Sequence, residues 1–192
     1  VWAHHMFLTG MGPTLSAFFQ VTTMIISIPS VVIVSSLLLS LWGGSIRFTV
    51  PALFALAFLP MFGIGGLTGL QLGRAPPDIH LRDTYYVIGH FHYVVAPGTI
   101  FALCAGSYYW FPKATGKKMN DLLGQIHFWL TLICFNMIFF VQHFLGLAGM
   151  PRRIPDYALM FELWNKISTI GAFGMGLAQV LFFYIVLDCI RN

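Results

Sequence analysis

Five long apolar segments constrain this chain more than any other feature of its sequence. They cover residues 15–41, 50–72, 85–111, 122–147 and 158–187. Each is close to or longer than the about 20 residues that an α-helix needs to cross the hydrocarbon core of a bilayer. Short segments rich in Gly, Pro and charged residues separate them, as is typical of breaks between helices. The sequence therefore predicts an all-α, polytopic membrane bundle with about five transmembrane helices.

The composition excludes a water-soluble domain. Apolar residues make up 58% of the chain and charged residues only 8%, whereas soluble domains carry about 25% charged residues. The ten basic residues form no long run, so we predict no nucleic-acid-binding surface. The three cysteines, Cys104, Cys134 and Cys189, lie in apolar segments without the spacing of metal ligands. We interpret them as buried thiols.

Five spans place the two ends of the chain on opposite sides of the membrane. Side A holds the N-terminus and residues 73–84 and 148–157, and side B holds the other connections and the C-terminus. The basic residues divide equally between the sides, so their number does not orient the chain. If Arg152 and Arg153 bind a buried anion, side B is the more basic, and we predict that it faces the inside. Val1 opens the chain without a signal peptide, which we interpret as a cut.

Four of the seven histidines form two close pairs. His90 and His92 lie within the third apolar segment, and residues i and i+2 of a helix differ in direction by about 200°. Their imidazoles should therefore point to nearly opposite faces and bind two separate centres, and imidazole is a common axial ligand of haem iron. The alternative is that neighbouring helices satisfy both rings by hydrogen bonding. Two such residues within a membrane are expensive and favour the functional interpretation.

His4 and His5 are adjacent and precede the first apolar segment. Outside a regular helix, neighbouring imidazoles can converge on one ion, and such a site suits copper, zinc or iron. It usually needs a third ligand, which another segment would have to supply. Exposed pairs of histidines are common, so the pair alone is a weak signal.

Five motifs surround these pairs. They are Trp2-Ala3-His4-His5-Met6-Phe7, Thr23-Met24-Ile25-Ile26-Ser27-Ile28-Pro29, Gly65-Gly66-Leu67-Thr68-Gly69, Asp83-Thr84-Tyr85-Tyr86-Val87-Ile88-Gly89-His90-Phe91-His92-Tyr93 and His143-Phe144-Leu145-Gly146-Leu147-Ala148-Gly149-Met150-Pro151-Arg152-Arg153. In composition and order they resemble subunit I of the haem-copper oxidases, over essentially the whole chain. The resemblance implies that residues 1–192 are one C-terminal portion of that subunit, corresponding to the last five of its twelve helices.

The resemblance implies a role for each histidine of the two pairs. His4 and His5 are similar to two of the three ligands of the active-site copper. His90 is similar to the proximal ligand of the high-spin haem, where oxygen binds, and His92 to one of two axial ligands of the low-spin haem. The implied cofactors are two haems and copper.

Arg152 and Arg153 are similar to the pair that holds the haem propionates in this family. Adjacent guanidinium groups near a membrane need anionic partners, and their geometry matches carboxylates bidentately. Charges that only set the topology are the alternative.

The implied reaction is the reduction of O2 to water, coupled to proton uptake or pumping. The remaining copper ligand and the second haem ligand lie upstream in the family, so function requires the N-terminal helices of subunit I, in the same gene product or a separate chain. Further implied partners are subunit II, a subunit like subunit III, and cytochrome c or quinol as electron donor. The expected location is a bacterial cytoplasmic membrane or the mitochondrial inner membrane. Alternatives are a subunit like nitric oxide reductase, with haem and non-haem iron, and a cofactor-free transporter bundle with a proton relay.

Two departures from the family pattern bear on function. Ile33 stands where the family commonly has a Lys that relays protons, so Ser30, and after it Ser27, become the candidates for another path. Ordinary packing is the alternative for these serines.

The second departure is Arg82, which stands where the family has a His beside Asp83 that helps to bind magnesium or manganese. An Arg cannot ligate a cation, so the resemblance leaves this site in question, with Asp83 and His80 as its remaining candidates. The Arg82 guanidinium is expected to pair with Asp83 or with a propionate.

Overall fold

The computed structural model describes residues 2–191, and α-helices form most of this part of the chain. The helices are α1 (Gly12–Ile25), α2 (Ser27–Leu41), α3 (Val50–Leu72), α4 (Ala75–Leu81), α5 (Tyr85–Ala96), α6 (Ala102–Thr115), α7 (Asp121–Leu147) and α8 (Glu162–Arg191). A 3-10 turn covers Trp2–His5, another covers Leu159–Phe161, and Pro97–Phe101 is π-helical. Among the described residues, five helical stretches are long and apolar enough to cross a membrane. The predicted all-α membrane bundle is confirmed.

Two of the five spans contain an interruption at proline. In the first span, Ile26 separates α1 from α2, and Pro29 has no N–H to bond to the Ile25 carbonyl four residues earlier. In the third span, Pro97 begins the π-helical turn that joins α5 to α6. Because such a turn accommodates the missing hydrogen bond locally, the span continues through it.

The core lies where α3, α5, α6, α7 and α8 meet. Phe135 of α7 is fully buried and contacts Tyr93 and Phe101 edge-on, with ring centroids 5.0 and 5.9 Å away. Glycine allows α8 to approach α7 closely, because a Cβ at Gly171 would lie 2.8 Å from Met137 Cβ. These four membrane spans therefore form the packed part of the described chain.

The connections after α3 and after α7 return to the same side of the bundle and pair there. Tyr85 N donates to the Met150 carbonyl at 3.0 Å, and Arg152 N donates to the Asp83 carbonyl at 2.8 Å. Asp83 and Arg153 adopt left-handed backbone conformations, with φ of 57° and 63°. The two connections on side A are thus joined to each other by backbone hydrogen bonds.

All three cysteines are buried free thiols, as predicted.

Candidate functional site

His90 projects from α5 toward α3. Its Nδ1 lies 2.9 Å from the Gly65 carbonyl and 3.1 Å from Thr68 Oγ1. A carbonyl can only accept, so this contact places the proton on Nδ1 and leaves Nε2 as the ring nitrogen with a free lone pair. Gly69 makes room for the ring, because a Cβ there would lie 2.8 Å from His90 Cε1. The contacts with Gly65, Thr68 and Gly69 therefore hold the imidazole in one orientation against α3.

His92 lies on a different face of α5, toward α7. Its ring stacks on Phe139 with centroids 4.0 Å apart and an interplanar angle of 13°. Its Nδ1 lies 2.8 Å from the Ile88 carbonyl, one turn earlier on the same helix. His92 therefore also has its proton on Nδ1 and Nε2 free for a ligand. The two imidazoles face different neighbours, α3 for His90 and α7 for His92, as expected from their spacing.

His4 and His5 form the end of the 3-10 turn at Trp2–His5, and their ring centroids are 4.1 Å apart. Thr23 Oγ1 of α1 lies 3.4 Å from His4 Nδ1. Burial, and then the neighbouring His5, lower the pKa of His4 to about 4, so this ring is neutral at physiological pH. Burial also lowers the pKa of His5. Neutral imidazoles are the form that binds metal ions.

Arg82 pairs with Asp78 and not with Asp83, which was one of the two partners expected from sequence. Its Nε donates to Asp78 Oδ2 at 2.9 Å, and its Nη2 donates to the His4 carbonyl at 2.9 Å. Its Nη1 donates to the His5 carbonyl. The physical reason is that Asp78 lies one helical turn before Arg82, on the same face of α4, whereas the left-handed backbone of Asp83 turns that carboxylate away.

Asp83 pairs instead with Arg152. Arg152 Nε and Nη2 both donate to Asp83 Oδ1, at 2.9 and 2.7 Å. These bonds use two of the five N–H groups of the guanidinium, so Arg152 keeps donors for a further anion. Arg153 and His80 are exposed. Within residues 2–191 no three His, Cys, Asp or Glu side chains are grouped to hold a metal ion, so Asp83 and His80 do not come together with a third such ligand.

The serines proposed for a proton path lie on the first span. Ser30 Oγ donates to the Ile26 carbonyl at 3.4 Å, and Ser27 and Ser30 are both half-buried. Ile33 is 56% exposed. Ser27 and Ser30 therefore lie on one helical stripe of α2.

The sequence reasoning missed the residues that orient the histidines. Gly65, Thr68 and Gly69 form one stripe of α3 against His90, and their i, i+3, i+4 spacing is a signal that could have found them. It also left two buried histidines of α7 without a role. His127 Nδ1 lies 3.0 Å from the Tyr108 hydroxyl oxygen, and His143 packs edge-on against Tyr86 at 5.3 Å between ring centroids.

The fold and the site together define a polytopic helical membrane protein with oriented imidazoles on two faces of one span. Residues 1–174 match the family described as cytochrome c and quinol oxidase polypeptide I. The chain belongs to this family.

Two relatives are subunits of cytochrome c oxidases. The chain is 51% identical over 184 residues to cytochrome c oxidase subunit 1 of Bacillus sp. (strain PS3), a match covering 94% of this chain and 30% of the relative. It is 46% identical over 192 residues to cytochrome c oxidase subunit 1 of Eremothecium gossypii, covering 100% of this chain and 36% of the relative. The chain thus spans about a third of the length of these relatives.

A solved structure of a heme-copper terminal oxidase dimer has the same fold over this region. The TM-score is 0.81 at 20% sequence identity, and the match covers 97% of this chain and 39% of that one. At this identity the likeness establishes the arrangement of the helices.

Proposed function

We propose that this chain is the C-terminal portion of the large subunit of a respiratory terminal oxidase that reduces O2 to water. In this proposal His90 would hold the iron of the high-spin haem and His92 would hold the iron of the low-spin haem. His4 and His5 are two ligands of copper. Membership of the oxidase family supports the activity.

The observation that carries the proposal is the orientation of the two imidazoles of α5. Each donates Nδ1–H to a main-chain carbonyl, Gly65 for His90 and Ile88 for His92, and each thereby keeps Nε2 as a ligand atom. Metal-binding histidines usually fix their tautomer by such a bond from the other ring nitrogen. Because the rings face different helices, they suit two separate irons rather than one.

The donor set also fits copper at the N-terminal turn. Two neutral imidazoles 4.1 Å apart suit a borderline-soft ion, and a third ligand from outside this chain would complete the site. The bound haem and copper would supply electron transfer and oxygen reduction. The residues of this chain hold the ligand nitrogens, fix their direction and provide cationic partners for the propionates through Arg152 and Arg153.

The same proposal includes the upstream helices of the subunit, subunit II and III-like subunits. It also includes an electron donor, either cytochrome c or quinol, and coupling of the reaction to protons. The similarity to two cytochrome c oxidase subunits favours an oxidase over a nitric oxide reductase. Metal analysis of the purified complex distinguishes them, since an oxidase carries copper and a nitric oxide reductase a further iron. A preparation without a Soret band would instead support a cofactor-free proton-relay transporter.

Absorption spectra of two variants of the complete complex test the assignment. His92→Ala should abolish the low-spin haem spectrum, and His90→Ala should remove ligand binding at the high-spin haem. Val95→Ala, at an exposed position of the same helix, is the matched control and should leave both components intact. If His90→Ala and His92→Ala erase the same component and spare the other, the two-centre assignment is wrong.

A further inference from the structure

Arg82 joins two parts of the chain that are 77 residues apart in sequence. It follows α4 on side A, and its side chain extends to the turn that carries His4 and His5. The side chain is only 17% exposed, and that of its partner Asp78 only 5%. A buried Arg with contacts on both sides is well placed to fix one part relative to the other.

The guanidinium binds the main chain of both adjacent histidines at once. Nη2 donates to the His4 carbonyl at 2.9 Å, and Nη1 donates to the His5 carbonyl. Carbonyls at the end of a helical turn have no partner within the turn, and a cationic side chain satisfies them well. The planar fork of an Arg can reach two such oxygens simultaneously, which the single ammonium group of a Lys does with much less geometric definition.

Asp78 holds the other edge of the same guanidinium. Arg82 Nε and Nη2 both lie 2.9 Å from Asp78 Oδ2. Burial raises the pKa of Asp78, whereas the Arg82 charge lowers it. A buried charge without a partner is costly, so the carboxylate and the guanidinium restrain each other. The Arg82 guanidinium is therefore held in place by Asp78 of α4 and does not depend on the Trp2–His5 turn for its position.

Few other contacts orient the two rings. His4 meets Thr23 Oγ1 at 3.4 Å, and the His5 residue is exposed. Besides the bond from Met6 N to the Ala3 carbonyl within the turn, at 3.0 Å, the two bonds from Arg82 restrain the direction in which both imidazoles leave the main chain.

We propose that Arg82, anchored by Asp78, is the positioning residue of the His4–His5 pair and sets its affinity for copper. The inference rests on the proposed function, because it takes the two imidazoles as copper ligands. Arg82 itself touches neither metal nor substrate. It acts by holding two consecutive carbonyls, and so two consecutive Cα–Cβ directions, in a single arrangement.

Copper retention in the complete, purified complex tests this inference. Copper per haem is measured while a copper-specific chelator is titrated in, and X-ray absorption at the copper edge reports the number of imidazole ligands. For Arg82→Gln we expect an affinity loss of about 10–100-fold, the range seen when groups that orient metal ligands are removed. Arg82→Lys should recover part of the affinity because it keeps the charge. Asp78→Asn should weaken retention in the same direction.

Arg74→Gln is the matched control. Arg74 lies on the same side of the membrane, is exposed, and donates from Nε to the Leu70 carbonyl of its own helix at 3.2 Å. It should retain copper as the parent protein does.

Two results would overturn the inference: a chelator titration of Arg82→Gln that matches the parent, or a loss of haem in parallel with copper, which would indicate general damage. Failure of the proposed function is distinguishable, because the parent complex would then contain no copper bound by imidazole.

Discussion

The first and fourth membrane spans differ sharply in the fraction of their residues that other parts of this chain bury. In the most apolar stretch of the first span, Gly12–Leu41, none of the residues is buried, whereas in Asp121–Leu147 44% are buried. The two stretches are similarly apolar, with mean hydropathies of 2.3 and 1.8. Hydropathy therefore identifies a span but does not say what covers it. This chain therefore covers α7 to a large extent but covers little of α1 and α2, which it meets at contacts such as the bond from Ala75 N to Gln20 Oε1, 3.0 Å long.

The largest effect is expected where α7 meets the start of α5. A Cβ at Gly146 would lie 2.0 Å from the Tyr86 backbone N, and a main-chain atom cannot move aside cheaply. Gly146→Ala should destabilise the bundle by more than about 3 kcal/mol, beyond the usual cost of overpacking, and prevent accumulation of folded complex. Yield of haem-loaded complex in the membrane measures this.

Gly176→Ala on α8 is its control, because nothing lies within 4 Å of a Cβ at that position. Equal yields for Gly146→Ala and the parent would break the claim that α7 is tightly packed within this chain.

The next effect compares the two spans directly. Phe135 of α7 is fully buried, and Phe135→Ala should cost about 3–5 kcal/mol, as expected for loss of a core aromatic ring. Leu39 of α2 is 69% exposed in this chain, so Leu39→Ala should change stability by no more than about 0.5 kcal/mol. Thermal unfolding of each variant complex provides the comparison. A large loss of stability in Leu39→Ala would show that a helix from outside this chain covers α2.

A smaller effect is expected on the reduction potentials of the haems in the proposed complex. Arg152→Leu and Arg153→Leu should each lower a haem reduction potential, because loss of a cation beside a propionate disfavours the added electron. The shift should be roughly a few tens of millivolts, since only part of the about 1.5–3 kcal/mol of a charged hydrogen bond differs between redox states. Spectroelectrochemical titration measures it. Lys166→Met removes an exposed charge on the same side of the bundle as a control, and unchanged potentials in both Arg variants would exclude propionate binding.

The smallest effect concerns the proton path that we propose for the first span. We expect Ser30→Ala to slow reduction of the high-spin haem by a few-fold, because its hydroxyl can relay a proton and a methyl group cannot. Ile33→Ala, one turn further on, should leave turnover nearly unchanged. Stopped-flow reduction kinetics distinguish the two, and a sensitive Ile33 with an indifferent Ser30 would contradict this path.

The amino-acid sequence was sufficient to predict the five spans and the division of His90 and His92 between two faces of one helix. Both follow from local geometry: the length of an apolar run sets a membrane span, and the helical repeat sets side-chain direction. The order of the connections also followed, because an odd number of spans fixes which loops share a side. The motifs around the histidines carried the family resemblance, which the match of residues 1–174 confirms.

The groups that orient the site could be identified only from the folded chain. Arg82 could have paired with its neighbour Asp83, and local spacing could not exclude it. The left-handed backbone of Asp83 separates the two side chains, sending Asp83 to Arg152 and leaving Arg82 for Asp78 and the carbonyls of His4 and His5. Such pairings depend on where distant loops return to the membrane surface. That position is set by packing of whole helices, such as α5 on α7 at Gly146, rather than by any local pattern.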